Sequence, residues 1–281
     1  MSAKKPSQEA SAARPETKRT AGQPIRAVRP APSRRPLHGL WPLLRHQFRH
    51  TVLYPSNLGF ALLLPVIMYF MFGAFQSYSS IWRGHSNVSA QVMFSMGAYG
   101  ATMAAASIAA GVGIERASGW SRQLALTPTT SATYLANKIL LALASALLSL
   151  LGLMAVGFLC TAKAEGPMWV AVPGLILFGS LVTANMGLAL GYLFRSDAAY
   201  AIIGGGSAIF AFLAGVWVPL DKMPEFFRDF APYTPMYGLF HFSQWPLKDS
   251  PFNWAWIVNI AAWTAFFAAI AIRRIRKDTA R

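Results

Sequence analysis

Apolar residues in this chain fall in long unbroken blocks and do not alternate with polar ones. Six blocks stand out: Leu58–Tyr78, Gln91–Ile114, Ile139–Cys160, Met168–Phe194, Ala198–Pro219 and Phe252–Ile272. A run of about 20 apolar residues is long enough to cross a bilayer as a helix. A membrane β-barrel would instead show period-two alternation, which is missing here. Pro65, Pro173 and Gly204 to Gly206 lie inside the blocks, where membrane helices tolerate them better than soluble ones do. The pattern predicts an all-α membrane protein with six transmembrane helices.

The polar segments between the blocks differ from one another. Residues 1–36 are rich in Pro, Ala, Ser and basic residues and hold almost no large apolar side chain. They predict a disordered basic tail, and no signal-peptide stretch lies in them. Residues 37–55 read "LHGLWPLLRHQFRHTVLYP". Trp41, Leu44, Phe48 and Val52 recur every three or four residues, which places them on one face of a helix. Arg45, Arg49, His46 and His50 fall on its other faces. Such a helix suits the headgroup plane, with Trp at the interface and Arg reaching lipid phosphate. His46 and His50 have the i, i+4 spacing of two metal ligands, but the glutamate of the zinc-protease pattern is missing between them. Residues 56–281 then form the six-span domain.

On one side of the membrane the connections 79–90 and 161–167 are short. The connection between the fifth and sixth blocks is long and aromatic, running "LDKMPEFFRDFAPYTPMYGLFHFSQWPLKDS". Apolar stretches of 10–14 residues suggest interfacial or re-entrant segments, so two short helices dipping into the outer leaflet are expected there. On the other side, "IERASGWSRQLALTP", residues 114–128, places Glu115, Arg116 and Arg122 beside Trp120, Leu124 and Leu126. Pro128 disfavours helix for Thr127 and ends the segment sharply.

Composition and charge fix the orientation. Charged residues make up 12% of the chain, about half the share in soluble domains. Of the 25 Lys and Arg, 20 lie before Leu58, after Ile272, or at Arg116, Arg122, Lys138 and Arg195. The positive-inside rule places those segments, and both termini, in the cytoplasm of a multi-pass plasma- or inner-membrane protein. The one-sided distribution accounts for the net charge of +15 without a nucleic-acid partner. The single cysteine, Cys160, forms no intrachain disulfide. Asn87-Val88-Ser89 matches a glycosylation sequon.

Several chemistries lack their residues. The blocks hold no ionisable side chain away from their ends, whereas proton- and ion-coupled carriers place such groups at mid-membrane. Ser95, Thr102, Thr183, Asn185, Ser207 and Asn259 are the candidates to line a pathway, and each could equally bridge helices. Neither a Walker motif nor a catalytic constellation is present, and the glycines of "AAGVGIE" and "IIGGGSA" read as close-packing positions. No cofactor or metal is expected on this chain.

Three features together resemble the permease subunit of an ABC-2 type exporter. They are the amphipathic connecting helix with Trp41, Leu44, Arg45, Phe48 and Arg49, the 114–128 stretch, and the aromatic outer segment. Within 114–128 the matching residues are Glu115, Arg116, Gly119, Leu124, Leu126, Thr127 and Pro128, while Ala117 replaces a frequent second glutamate. The resemblance covers Leu37 to the C-terminus. It implies that 114–128, including Trp120 and Arg122, is a coupling helix docked into a separate ABC ATP-binding subunit, which holds ATP and Mg. It further implies a second permease copy, identical or a sibling, surrounding lipid, and an external gate at Pro219, Pro224, Phe227 and Pro235. The expected cargo is a lipophilic or amphiphilic drug, antibiotic or lipid. A polysaccharide or glycolipid exporter and an ATP-independent carrier or scaffold remain the alternatives.

Overall fold

The computed structural model describes residues 40–53, 55–119, 130–194 and 198–279. These residues are mostly helical. The chain begins with α1 (Leu40–Gln47), which continues into a π-turn at Phe48–Val52. Next come α2 (Pro55–Tyr69) with a second π-turn at Phe70–Ala74, and the hairpin strands β1 (Trp82–Arg83) and β2 (Ser86–Asn87). Helix α3 (Val88–Ala110) is followed by α4 (Val112–Ala117), then α5 (Ser131–Leu159), α6 (Met168–Leu193) and α7 (Ala198–Leu213). Two short helices, α8 (Glu225–Phe230) and α9 (Tyr237–Gln244), precede the final α10 (Trp254–Thr279).

Four stretches are long and apolar enough to cross a membrane: Val88–Ala117, Ala132–Leu159, Met168–Leu193 and Trp254–Ile275. The first and fifth expected blocks give the shorter apolar helices Leu62–Ala74 and Ala198–Leu213. At 1.5 Å per residue, the 16-residue α7 spans about 24 Å, somewhat less than the ~30 Å hydrocarbon core. It stops short of the expected Pro219 because Gly215, at φ +82°, turns the chain.

The centre of the bundle is α3, packed between α5 and α6. Small residues allow its close approach to α6. A Cβ on Gly187 would lie 2.2 Å from the Ala106 carbonyl oxygen, and one on Gly191 would lie 2.8 Å from that of Ala110. Ala106 and Ala110 thus face Gly187 and Gly191, each pair four residues apart, as small-residue seams do between membrane helices. By contrast, Gly204, Gly205 and Gly206 on α7 have no atom within 4 Å of where a Cβ would stand.

At the other end of the bundle from α4, the connections are laced together. The Asn87 side chain accepts from the Ala90 and Lys163 amides at 2.9 Å each, and donates to the Thr161 carbonyl at 2.7 Å. Asn87 is buried, so the sequon's amide nitrogen is already engaged. His85 sits between two carboxylates, Glu165 at 2.9 Å and Asp249 at 3.1 Å, and its amide donates to the Leu247 carbonyl. Residues 82–83 and 86–87, expected to be plain connection, form the hairpin instead, because these cross-connections give its backbone partners.

Candidate functional site: the base of the 114–128 segment

Helix α4 continues the line of α3 after a break at Gly111 and carries Glu115 and Arg116 at its end. It stops where Gly119 adopts φ +79°, with open space around it; a left-handed glycine is the common way to end a helix. The chain is described again at Thr130, whose hydroxyl accepts from the Thr133 amide at 3.1 Å and so caps α5. Trp120, Arg122, Leu124, Leu126, Thr127 and Pro128 lie outside the described residues. The segment is therefore bracketed by a glycine stop and a threonine start.

Glu115 and Arg116 each grip a different helix. The Glu115 carboxylate accepts from the Tyr134 hydroxyl at 2.5 Å and from the Lys138 ammonium, both on α5. Lys138 is 1% exposed while the carboxylate is 24% exposed. A lysine buried to this degree requires a counter-charge, because an isolated ammonium out of water is very costly. The sequence pattern assigns Lys138 to a cytoplasmic connection. The Thr130 cap starts α5 earlier than the apolar block does and carries Lys138 into the bundle. The membrane-crossing stretches thus do contain an ion pair, close to one end.

Arg116 Nη1 donates to the Tyr192 carbonyl at 3.0 Å, and its guanidinium lies over the Tyr192 ring at 5.1 Å. Beneath it, Gly113 lets the backbones of α4 and α6 touch: a Cβ there would meet the Gly191 and Phe194 carbonyl oxygens at 3.1 and 3.2 Å. The end of α4 is thus fixed to α5 by charge and to α6 by close packing.

Helix α1 docks on α5 and the neighbouring core. Leu44 and Phe48 pack against that core and Val52 is fully buried within it. Gln47, buried on the same face, accepts from Asn137 Nδ2 at 2.7 Å. Trp41 departs from the expected common face: it is 72% exposed and lines an open groove with Pro42, Arg45, His46, Arg49 and His50. The buried stripe runs through Gln47, a polar residue that pairs with Asn137, and this turns Trp41 outward. Among the described residues no group of three His, Cys, Asp or Glu is placed to hold a metal.

Of the candidate pathway residues, none lines either the groove beside α1 or the cavity beside α8. Ser95, Thr102, Thr183 and Asn185 each donate to a carbonyl three or four residues back in their own helix, a local habit of such side chains. The Ser207 hydroxyl is buried without a hydrogen-bond partner among the described residues. Asn259 donates to the Pro232 and Thr234 carbonyls at 2.8 and 3.1 Å and accepts from the Gly238 amide at 3.2 Å. It ties the long connection to α10.

In that connection Pro219 precedes a 3-10 turn, Pro224 caps α8, and Pro235 precedes α9. Phe227 meets Phe212 of α7 edge to face at 6.2 Å. Together with Ile209, Trp217, Phe226 and Phe230 they line an open apolar cavity of about 390 Å³. In α9, His241 is wedged between Tyr237 and Phe240 and faces Trp256. Burial and then the nearby Lys248 charge push its pKa down to about 4.

Residues 83–273 match the family model described as ABC-2 family transporter protein. The chain is also 25% identical over 229 residues to YvfS of Bacillus subtilis (strain 168), a protein provisionally named a transport permease. That alignment covers 78% of this chain and 90% of YvfS.

Proposed function

The chain belongs to the ABC-2 family of transporter proteins, and from that premise we propose that it is the membrane subunit of an ABC exporter. It is a transport permease, embedded in the membrane by several apolar helices. In the proposed topology all six apolar helices cross, the two shorter ones by local thinning or tilt of their surroundings. Both termini, α1 and the 114–128 segment then face the cytoplasm, and the hairpin, α8 and α9 face outward. Two permease copies enclose the pathway, and a separate ATP-binding subunit docks on residues 114–128 of each.

One observation carries this reading: the base of 114–128 is anchored to the bundle on two sides, by Glu115 to α5 and by Arg116 to α6. A segment that only linked two spans would need neither anchor. A push on it from ATP-driven closure of the partner would pass directly into both helices. The wholly apolar cavity by α8 favours a lipophilic cargo over a glycan, whose hydroxyls would find no partner there.

The test is purification of the chain from its native membrane, with identification of what accompanies it. An ATP-binding cassette subunit should co-purify, and should be lost when Leu124 and Leu126 become Asp while the chain stays in the membrane. Recovery of the chain without any such subunit overturns the exporter reading.

A further inference from the structure

Two elements that face the proposed ATPase meet on a single stretch of α5. Helix α1 attaches through the Gln47–Asn137 amide pair, across 90 residues of sequence. The 114–128 segment attaches through Glu115 to Tyr134 and Lys138. Asn137 and Lys138 are consecutive, and Tyr134 lies one turn before them. Gln47, Asn137 and Lys138 are all buried, so neither tie is a solvent-screened surface contact of little consequence.

We infer that the first two turns of α5 are a yoke joining α1 and the base of the 114–128 segment at Glu115 into one mechanical body, with Lys138 and Asn137 as its positioning residues. This inference rests on the reading of 114–128 as the ATPase contact. Lys138 and Asn137 each act by holding another element. Glu115 cannot shift relative to α5 without breaking two bonds to α5, one of them to a buried ammonium. Gln47 likewise cannot leave without stranding a buried amide. Displacement of the 114–128 base is therefore transmitted to α1 through α5, and α1 cannot respond on its own.

The yoke can be measured as a distance. Exposed His46 and Ala117 are replaced by Cys in a chain whose native Cys160 has become Ser, and both are spin-labelled. Pulsed electron resonance is then recorded on the purified chain in lipid nanodiscs. The unaltered chain should give one narrow distance distribution. Lys138→Met should broaden it, and Glu115→Lys combined with Lys138→Glu should narrow it again. Tyr134→Phe, which removes one hydrogen bond and little volume, should give an intermediate width if Lys138→Met does not fold.

The second readout is the ATPase rate of the complex with the co-purified ATP-binding subunit. Lys138→Met should leave the subunit bound and lower the permease-dependent rate about tenfold, within the usual range of coupling between sites. The charge swap should restore it. An unchanged distance distribution in both Lys138→Met and Tyr134→Phe overturns the yoke. Absence of any co-purifying subunit overturns the exporter reading and leaves the distance result standing on its own.

Discussion

Gly187→Ala tests whether the seam between α3 and α6 is as close as the fold requires. The added methyl would stand 2.2 Å from the Ala106 carbonyl oxygen and 2.9 Å from that residue's carbonyl carbon and Cα. An ordinary carbon–oxygen contact is about 3.3 Å, so the helices must part by roughly 1 Å, and backbone cannot rotate aside as a side chain can. Forced overpacking of this kind costs about 1–3 kcal/mol. The same helix supplies its own control. Gly174 has no atom within 4 Å of its missing Cβ, and Gly→Ala in an open helix position gains about 0.5–1 kcal/mol. The two variants should therefore differ by at least about 1.5 kcal/mol, or roughly 3–6 °C in melting midpoint for a chain of this size. Tryptophan fluorescence during heating in one detergent reads both, since the chain has nine tryptophans. Equal midpoints for Gly187→Ala and Gly174→Ala would refute the close approach, and with it the rigid path from α6 to Arg116.

Acid should loosen the long connection between α7 and α10 through His241. Its folded pKa of about 4 lies below the unfolded value near 6.5, so the stability it supports is complete above pH 6.5. That stability falls as pH drops toward 4, by up to about 3 kcal/mol, because the unfolded state takes the proton more readily. His241→Phe should flatten the melting curve's pH dependence in that window, measured against the parent chain. Asn259→Leu removes three hydrogen bonds to the 232–238 region and should make it a protease site in detergent while the fragments' helices remain. Unchanged cleavage would show the ties are dispensable. Trp41, exposed beside Arg45 and Arg49, should be quenched by lipids brominated near the headgroup and not by those brominated at the chain end; the reverse order would place α1 away from the interface.

The apolar blocks were legible wherever helix and hydrophobicity coincide. Met168–Phe194 became Met168–Leu193, one residue shorter. Where they part, the reading slipped. The first eight residues of α5 hold Thr133, Asn137 and Lys138, and only the Thr130 cap signals that a helix has begun. Period and hydropathy cannot pair Glu115 with a lysine 23 residues on, nor Gln47 with an asparagine 90 residues on. The glycines of "AAGVGIE" were rightly read as packing positions at Gly113, which touches α6, whereas those of "IIGGGSA" face open space within this chain. Composition also does not tell which hydroxyls inside the blocks bond their own helix, as those of Ser95, Thr102 and Thr183 do.

The lacing around His85 has a bearing on how the protein is made. The hairpin leaves the ribosome between the first two apolar helices, yet Glu165 arrives 80 residues later, and Asp249 and the Leu247 carbonyl arrive only just before the last helix. Chain growth at about 5–20 residues per second separates these events by several seconds. During synthesis the rim at this end of the bundle therefore stays open until residues 247–249 are delivered, and its closure marks a chain that has grown past Asp249. Quality-control proteases acting at that face would meet an unclosed rim on products that stop before Asp249 and a closed one on chains that extend past it.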